Sequence, residues 1–156
     1  MRRFVLDEWL WADLGGENGE KAQQESLQLL LKIFERCDQL VTVEGGAFLE
    51  KFYRLCEIAE DSGDPRRRIV RVFKYQFLYN SKKLICLSEE ELPDLPEEMA
   101  NTIEEKDRYL VRAYWASDAE LVVTTDNPLL EALRSGNVKC QHRDSFLPHY
   151  SGAPSA

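Results

Sequence analysis

Apolar positions along the 156-residue chain follow two rhythms that alternate from one end to the other. Short, nearly unbroken apolar runs occur at Arg3 to Leu6, Leu40 to Val43, Leu84 to Leu87, Leu121 to Thr124 and Val138 to Cys140. Such runs read as strands covered on both faces, which have no polar side to show. Between them the apolar residues recur at helical spacing. Leu27, Leu30, Leu31 and Phe34 at i, i+3, i+4, i+7 predict a helix from about Glu20 to Cys37. Leu49, Phe52, Tyr53 and Cys56 mark the buried stripe of the next helix, which ends near Ser62-Gly63. Asp64-Pro65 supplies a cap and a first-turn proline for a third, with Ile69, Val70, Phe73 and Phe77 inward. Two more helices are expected from about Lys106 to Ser117 and from about Pro128 to Arg134, the latter closed by Gly136.

The punctuation agrees with this order. Glu8 to Asn18 carries Trp9, Trp11 and the turn-forming Gly15-Gly16, and Gly45-Gly46 breaks the second strand. Residues 88–104 are acidic and hold Pro93 and Pro96, which predicts a surface loop or short helix. Strands that alternate with amphipathic helices imply an α/β fold: three layers, α/β/α, around a parallel sheet of about four to five strands. One domain is expected over 1–150, with a disordered tail at 151–156 and no internal repeat or linker.

Composition narrows the class. With 44% hydrophobic and 31% charged residues the chain is ordinary for a globular protein, and its net charge of −8 argues against bulk electrostatic binding of nucleic acid. A local basic groove remains compatible with that charge. Cys37, Cys56, Cys86 and Cys140 form no C-x-x-C pair and sit among apolar neighbours, so they read as buried free thiols in a reducing compartment. Arg2 and Arg3 precede only a few apolar residues, unlike a secretion signal, and no apolar run approaches the ~20 residues of a spanning helix. A cytoplasmic protein without a membrane partner is expected. No G-x-G-x-x-G, P-loop or G-x-S-x-G is present, which disfavours nucleotide-binding and serine-hydrolase readings.

The candidate chemistry lies in acids at strand ends. Asp7 ends the first strand and Asp126 follows the fourth; Asp107 opens the helix that feeds the fourth, three and seven residues before Leu110 and Tyr114 on the same face. Carboxylates gathered at one edge are hard oxygen ligands suited to Mg²⁺ or Mn²⁺. Singly, Asp107 and Asp126 also read as ordinary helix caps. Thr124 and Thr125 are placed to support Asp126 or the water around a metal. Arg67, Arg71 and Lys74, beside Arg66 and Arg68, form an i, i+4, i+7 stripe fit for phosphates. The alternative is a solvated face paired with Glu57, Glu60 and Asp61. Trp9, Trp11 and Tyr114 read as core packing, with base stacking as the alternative. His142 and Asp144 follow the last strand as candidates for substrate contact and an extra ligand, whereas His149 reads as incidental.

In these stretches the chain resembles a PIN domain. Phe4-Val5-Leu6-Asp7 is similar to that family's opening strand and first acid. Asp107 to Asp126, followed by Leu129-Leu130, resembles its acid–helix–strand–Thr–Asp signature, and Val138-Lys139-Cys140 with Phe146-Leu147 resembles its closing strand and tail. Glu8-Trp9 departs from the pattern, in which a small or polar residue follows the first acid. The resemblance implies a Mg²⁺- or Mn²⁺-dependent endoribonuclease whose metal is held by Asp7, Glu50, Asp107 and Asp126, with Glu44 as the alternative to Glu50. It further implies single-stranded RNA as the foremost substrate, a homodimer, and an antitoxin or other protein partner if the chain is the toxin of a toxin–antitoxin pair. The competing reading is an inactive PIN-like scaffold that binds RNA or protein.

Overall fold

A computed structural model of the chain describes residues 1–151. Five strands, β1 (Arg3–Leu6), β2 (Gln39–Val43), β3 (Leu84–Leu87), β4 (Leu121–Thr124) and β5 (Cys140–His142), form one sheet in the order β3-β2-β1-β4-β5. Every pairing in it is parallel. The helices are α1 (Trp9–Leu14), α2 (Glu20–Glu35), α3 (Ala47–Ile58), α4 (Arg66–Phe73), α5 (Glu97–Thr102), α6 (Arg108–Ser117), α7 (Asn127–Ser135) and α8 (Arg143–Ser151). A π turn over Lys74–Leu78 continues α4, and 3-10 turns precede α5 and α6. The expected three-layer α/β/α architecture is the observed one.

Alternation along the strands explains why both faces are covered. Phe4, Leu6, Leu40 and Val123 point into one core, shared with α1, α2, α3, α4 and α8. Val5, Val41, Val43 and Val122 point into the other, shared with α5, α6 and α7. The chain winds from β1 outward through β2 to β3, then returns across the sheet to β4 and β5. The reversal lies between the neighbours β1 and β4, and in a parallel sheet the crevice beyond the carboxyl ends at that point is where ligands lodge.

Several expectations need correction. The last strand is Cys140–His142, not Val138–Cys140: Val138 is buried in the turn ahead of it and drew the apolar signal two residues too early. Two helices were not foreseen. In α1, Trp9 and Trp11 are both core residues; Trp9 Nε1 donates to Val123 O at 2.8 Å, and Trp11 packs among Phe48, Phe52 and Phe73. Neither indole is free to stack on a base. In α8, Phe146, Leu147 and Tyr150 are buried, and the Tyr150 hydroxyl donates to Asp38 Oδ2 at 2.5 Å. Burial, then the bond to Asp38, pushes the Tyr150 phenol pKa up. Ser151, expected to open the tail, instead closes α8, and 152–156 lie outside the described residues. The cysteines are free but not buried: Cys37 is exposed and the others are half-buried.

A buried ion pair ties the two unforeseen helices together. Asp13 on α1 accepts from Arg143 Nε at 2.8 Å, from Ser26 Oγ at 2.7 Å and from Asn18 Nδ2 at 2.8 Å. Removing one partner of such a pair costs ~3–5 kcal/mol, because the other charge is stranded. α1 follows Asp7 after a single residue, so this network also steadies the chain beside the first acid.

Candidate functional site

Topology alone brings three aspartates to one edge. Asp7 follows the last residue of β1, and Asp126 follows β4 after one residue. Because α6 runs back along the sheet to feed β4, its first turn, with Asp107, lies at the same carboxyl edge. The switch point of the sheet therefore carries Asp7, Asp107 and Asp126.

Thr124 links two of them. Its side chain is fully buried; the hydroxyl donates to Asp7 Oδ2 at 2.8 Å and accepts from the Asp126 amide at 3.2 Å. Asp7 Oδ1 accepts from the Glu8 amide at 2.7 Å, so both of its oxygens are oriented. Asp126 Oδ1 accepts from the Leu129 amide at 3.1 Å and caps α7, which leaves Oδ2 uncommitted. The cap reading of Asp126 thus holds without exhausting the carboxylate. Thr125 is exposed and makes no side-chain hydrogen bond among the described residues.

Asp107 is different. It is 8% exposed, its side chain does not cap α6, and it accepts no hydrogen bond among the described residues. Its pKa is pushed up to about 6, first by burial and then by the charge of Asp7, with Asp126 and Glu104 adding to the effect against Lys106. A helix N-terminus stabilises a carboxylate by ~0.3–1 kcal/mol. Burial and like charge outweigh that here. The field contains a surplus of negative charge with one nearby cation, Lys106, whose own pKa is raised by Asp107, Glu104, Glu8 and Asp126. Lys106 is exposed and stands 3.7 Å from Glu104, a weak pairing in solvent.

The candidates for the second acid are placed elsewhere. Glu50 is exposed on α3, and Glu44 is exposed just past β2; neither is among the charges that act most strongly on Asp107. Glu44 instead raises the pKa of Cys86 on the edge strand, after burial of that thiol. The glycine pair explains the geometry. Gly45 adopts φ +73°, and a Cβ on Gly46 would lie 3.3 Å from the Tyr109 ring. Tyr109 of α6 thereby packs against the start of α3, with its hydroxyl buried and unpartnered and its pKa raised, mainly by burial. The acids that do share the field are Glu8 and Glu104. Adjacency to Asp7 was the available signal for Glu8; nothing local marked Glu104.

The basic stripe does not reach this edge either. Arg67 and Arg71 line an open groove with Arg68 and the loop Ser62–Pro65, and Lys74 lies near Cys56. Among the described residues none of the three forms an ion pair, so the expected partners Glu57, Glu60 and Asp61 do not neutralise them. Cations nearer the acids line a cleft of about 370 Å³ between α1 and α3, where Glu8 and Trp11 meet Lys51, Arg54, Leu55 and Arg66. His142 stands one strand beyond Thr124 in register; its Nδ1 accepts from the Asp144 amide at 3.0 Å. Asp144 is exposed and pairs with Arg143 at 3.0 Å, and His149 is exposed. The Tyr114 hydroxyl accepts from the Lys139 amide at 3.4 Å on the far side of the sheet from the acids' edge.

The donor set fits a hard divalent cation in kind: three carboxylates, one of them buried without a partner and opposed by the other two. It does not close around one. Among the described residues no three His, Cys, Asp or Glu side chains converge as a ready metal cage. No known protein family matches the chain, and no curated protein sequence matches it.

Proposed function

We propose that the protein is a divalent-metal-dependent endoribonuclease, with Asp7, Asp107 and Asp126 holding Mg²⁺ or Mn²⁺. The single observation that supports this reading best is Asp107, largely covered and without a hydrogen-bond donor among the described residues, in the field of two further carboxylates at the switch point of a parallel sheet. A divalent cation bound there would lower the pKa of an attacking water and offset charge on the phosphate and the leaving oxygen. The side chains supply position. Thr124 aims Asp7 and fixes the Asp126 backbone; the α7 cap orients Asp126 with one oxygen free; Lys106 offsets part of the charge at the rim. Arg54, with Lys51 and Arg66 held in ion pairs to Glu17 and Asp64, lines the cleft along which an RNA strand would approach, while His142 flanks the other side.

A second reading, a non-catalytic PIN-like scaffold, is favoured by the lack of a closed three-ligand group among the described residues and by the exposed position of Glu50. Labelled single-stranded RNA incubated with Mn²⁺, Mg²⁺ or EDTA, beside Asp126→Asn, separates the two. Asparagine keeps the cap. Cleavage that requires metal and vanishes in the variant supports the nuclease. Equal activity in variant and wild type, or silence with metal bound to neither, supports the scaffold.

A further inference from the structure

Three of the four exposed aromatic residues among those described, all but Phe34, lie on α3 and on the π turn, with its cap, that leads to β3. Tyr53, Tyr75 and Tyr79 are 49%, 69% and 67% exposed, and they cluster at the β3 edge of the molecule. Tyr75 and Tyr79 meet edge to face with ring centroids 5.8 Å apart. Partial burial, then Cys86, Cys56 and Tyr79, raises the pKa of the Tyr53 phenol, whose neighbours thus lie on the edge strand, on α3 and at the end of the π turn. Arg67, Arg71, Tyr75 and Tyr79 recur every four residues. A plain α-helix would carry such a row gradually around its axis. The wider π turn at Lys74–Leu78, closed by the Tyr79 amide on Lys74 O at 2.9 Å, counters that drift and keeps the two rings together. Lys74 lies near Cys56, beside Tyr53.

Cations and rings therefore share one strip. Arg67, Arg71 and Lys74 have no ion-pair partner among the described residues, although the chain carries a net charge of −8. Glu57 and Glu60 act on the Cys56 thiol at the border of the strip without pairing to these cations. Single exposed tyrosines are common. Three together, interleaved with uncompensated positive charge, complement a chain that is anionic along its backbone and aromatic in its side groups.

We propose that this strip binds single-stranded RNA, with Tyr75, Tyr79 and Tyr53 stacking on bases and Arg67, Arg71 and Lys74 meeting phosphates. The site is separate from the acidic edge, and it rests on the RNA reading above only for the choice of polymer. A strand anchored here would be presented to the acids from a distance, as an exosite.

The test uses the full chain in EDTA, where no cleavage interferes, and follows the anisotropy of a fluorescein-labelled RNA of ~12 nucleotides, within the usual footprint of such surfaces. The variants are Tyr75→Ala/Tyr79→Ala and Arg71→Glu/Lys74→Glu, each checked for an unchanged Tm. The tyrosine pair should weaken binding about tenfold per ring lost. The charge pair should also flatten the dependence of log Kd on log salt by about 0.7 per phosphate contact removed. Failure of wild type to bind, or binding unchanged in both variants, overturns the proposal. So does a tyrosine variant that abolishes self-association while leaving RNA affinity intact, since the strip would then face a second copy of the chain. Intact binding with no metal-dependent cleavage would sink the nuclease and leave the strip standing. Normal cleavage with no effect of either variant would do the reverse.

Discussion

The N-termini of α6 and α7 present the same residue at the same edge of the sheet and use it differently. Asp126 spends one oxygen on the Leu129 amide and remains half-exposed; Asp107, more deeply buried, caps nothing and accepts no hydrogen bond among the described residues. What the difference teaches is that position in a helix does not define a carboxylate's role, whereas the balance of donors and charges around it does. Asp126 is satisfied locally, whereas Asp107 stands among like charges with no hydrogen-bond donor among the described residues.

That contrast breaks most sharply in catalysis. Asp107→Asn and Asp7→Asn should each lower metal-dependent RNA cleavage by more than the ~100-fold that loss of a supporting partner costs. Retention of wild-type rates in both would separate the acids from the chemistry. Thr124→Val comes next. It removes the hydroxyl that aims Asp7 and holds the Asp126 amide, so activity or metal affinity should fall ~10–100-fold, with a stability loss of about 1–3 kcal/mol in urea unfolding.

Stability in EDTA sharpens the comparison, because the two aspartates should respond with opposite signs. The Asp107 pKa is raised to about 6, so its protonated form is the one favoured by folding. Its contribution is present in full below the unfolded value near ~3.9 and is lost as pH rises through about 6. Asp107→Asn should therefore stabilise the metal-free protein at pH 7, by roughly 1–2 kcal/mol after solvent screening, and do little at pH 4. Asp126→Ala should destabilise by ~1 kcal/mol through the lost cap, and Asp126→Asn much less. Thermal melts across pH check both. The smallest effect belongs to Glu50→Gln, which at an exposed helix position should change cleavage by no more than about twofold.

The acids at the edge were legible because they sit at the ends of buried apolar runs. The strands Arg3–Leu6, Leu84–Leu87 and Leu121–Thr124 can be read residue by residue from composition, and parallel topology then places Asp7, Asp107 and Asp126 together. What surrounds them is tertiary. Glu104 and Lys106 reach Asp107 only through the turn that precedes α6, and no local pattern marks Glu50 as outside that field. The close approach of Tyr109 to Gly46 depends on two segments that are distant in sequence. α1 escaped detection because it is apolar nearly all round, with no polar stripe to set a period. α8 escaped because Pro148 lies inside it and the first position of its buried i, i+3, i+4, i+7 stripe is the charged Arg143, which leaves only Phe146, Leu147 and Tyr150 as an apolar signal. The tyrosine strip is not legible as a unit, since the spacing places Tyr53 on the buried stripe of α3 whereas the side chain is exposed.

The central claim is that the Asp107 field is short of one divalent cation. Titration calorimetry of Mn²⁺ into the wild-type protein and Asp107→Asn tests it most directly, with thermal melts on the same samples. The account predicts saturable binding to wild type, with stabilisation of about 2.7 kcal/mol once Mn²⁺ reaches ~100 times Kd, and affinity at least ~10-fold weaker in the variant. Absence of both heat and a Tm shift in wild type at millimolar Mn²⁺, or equal binding by the variant, would contradict it.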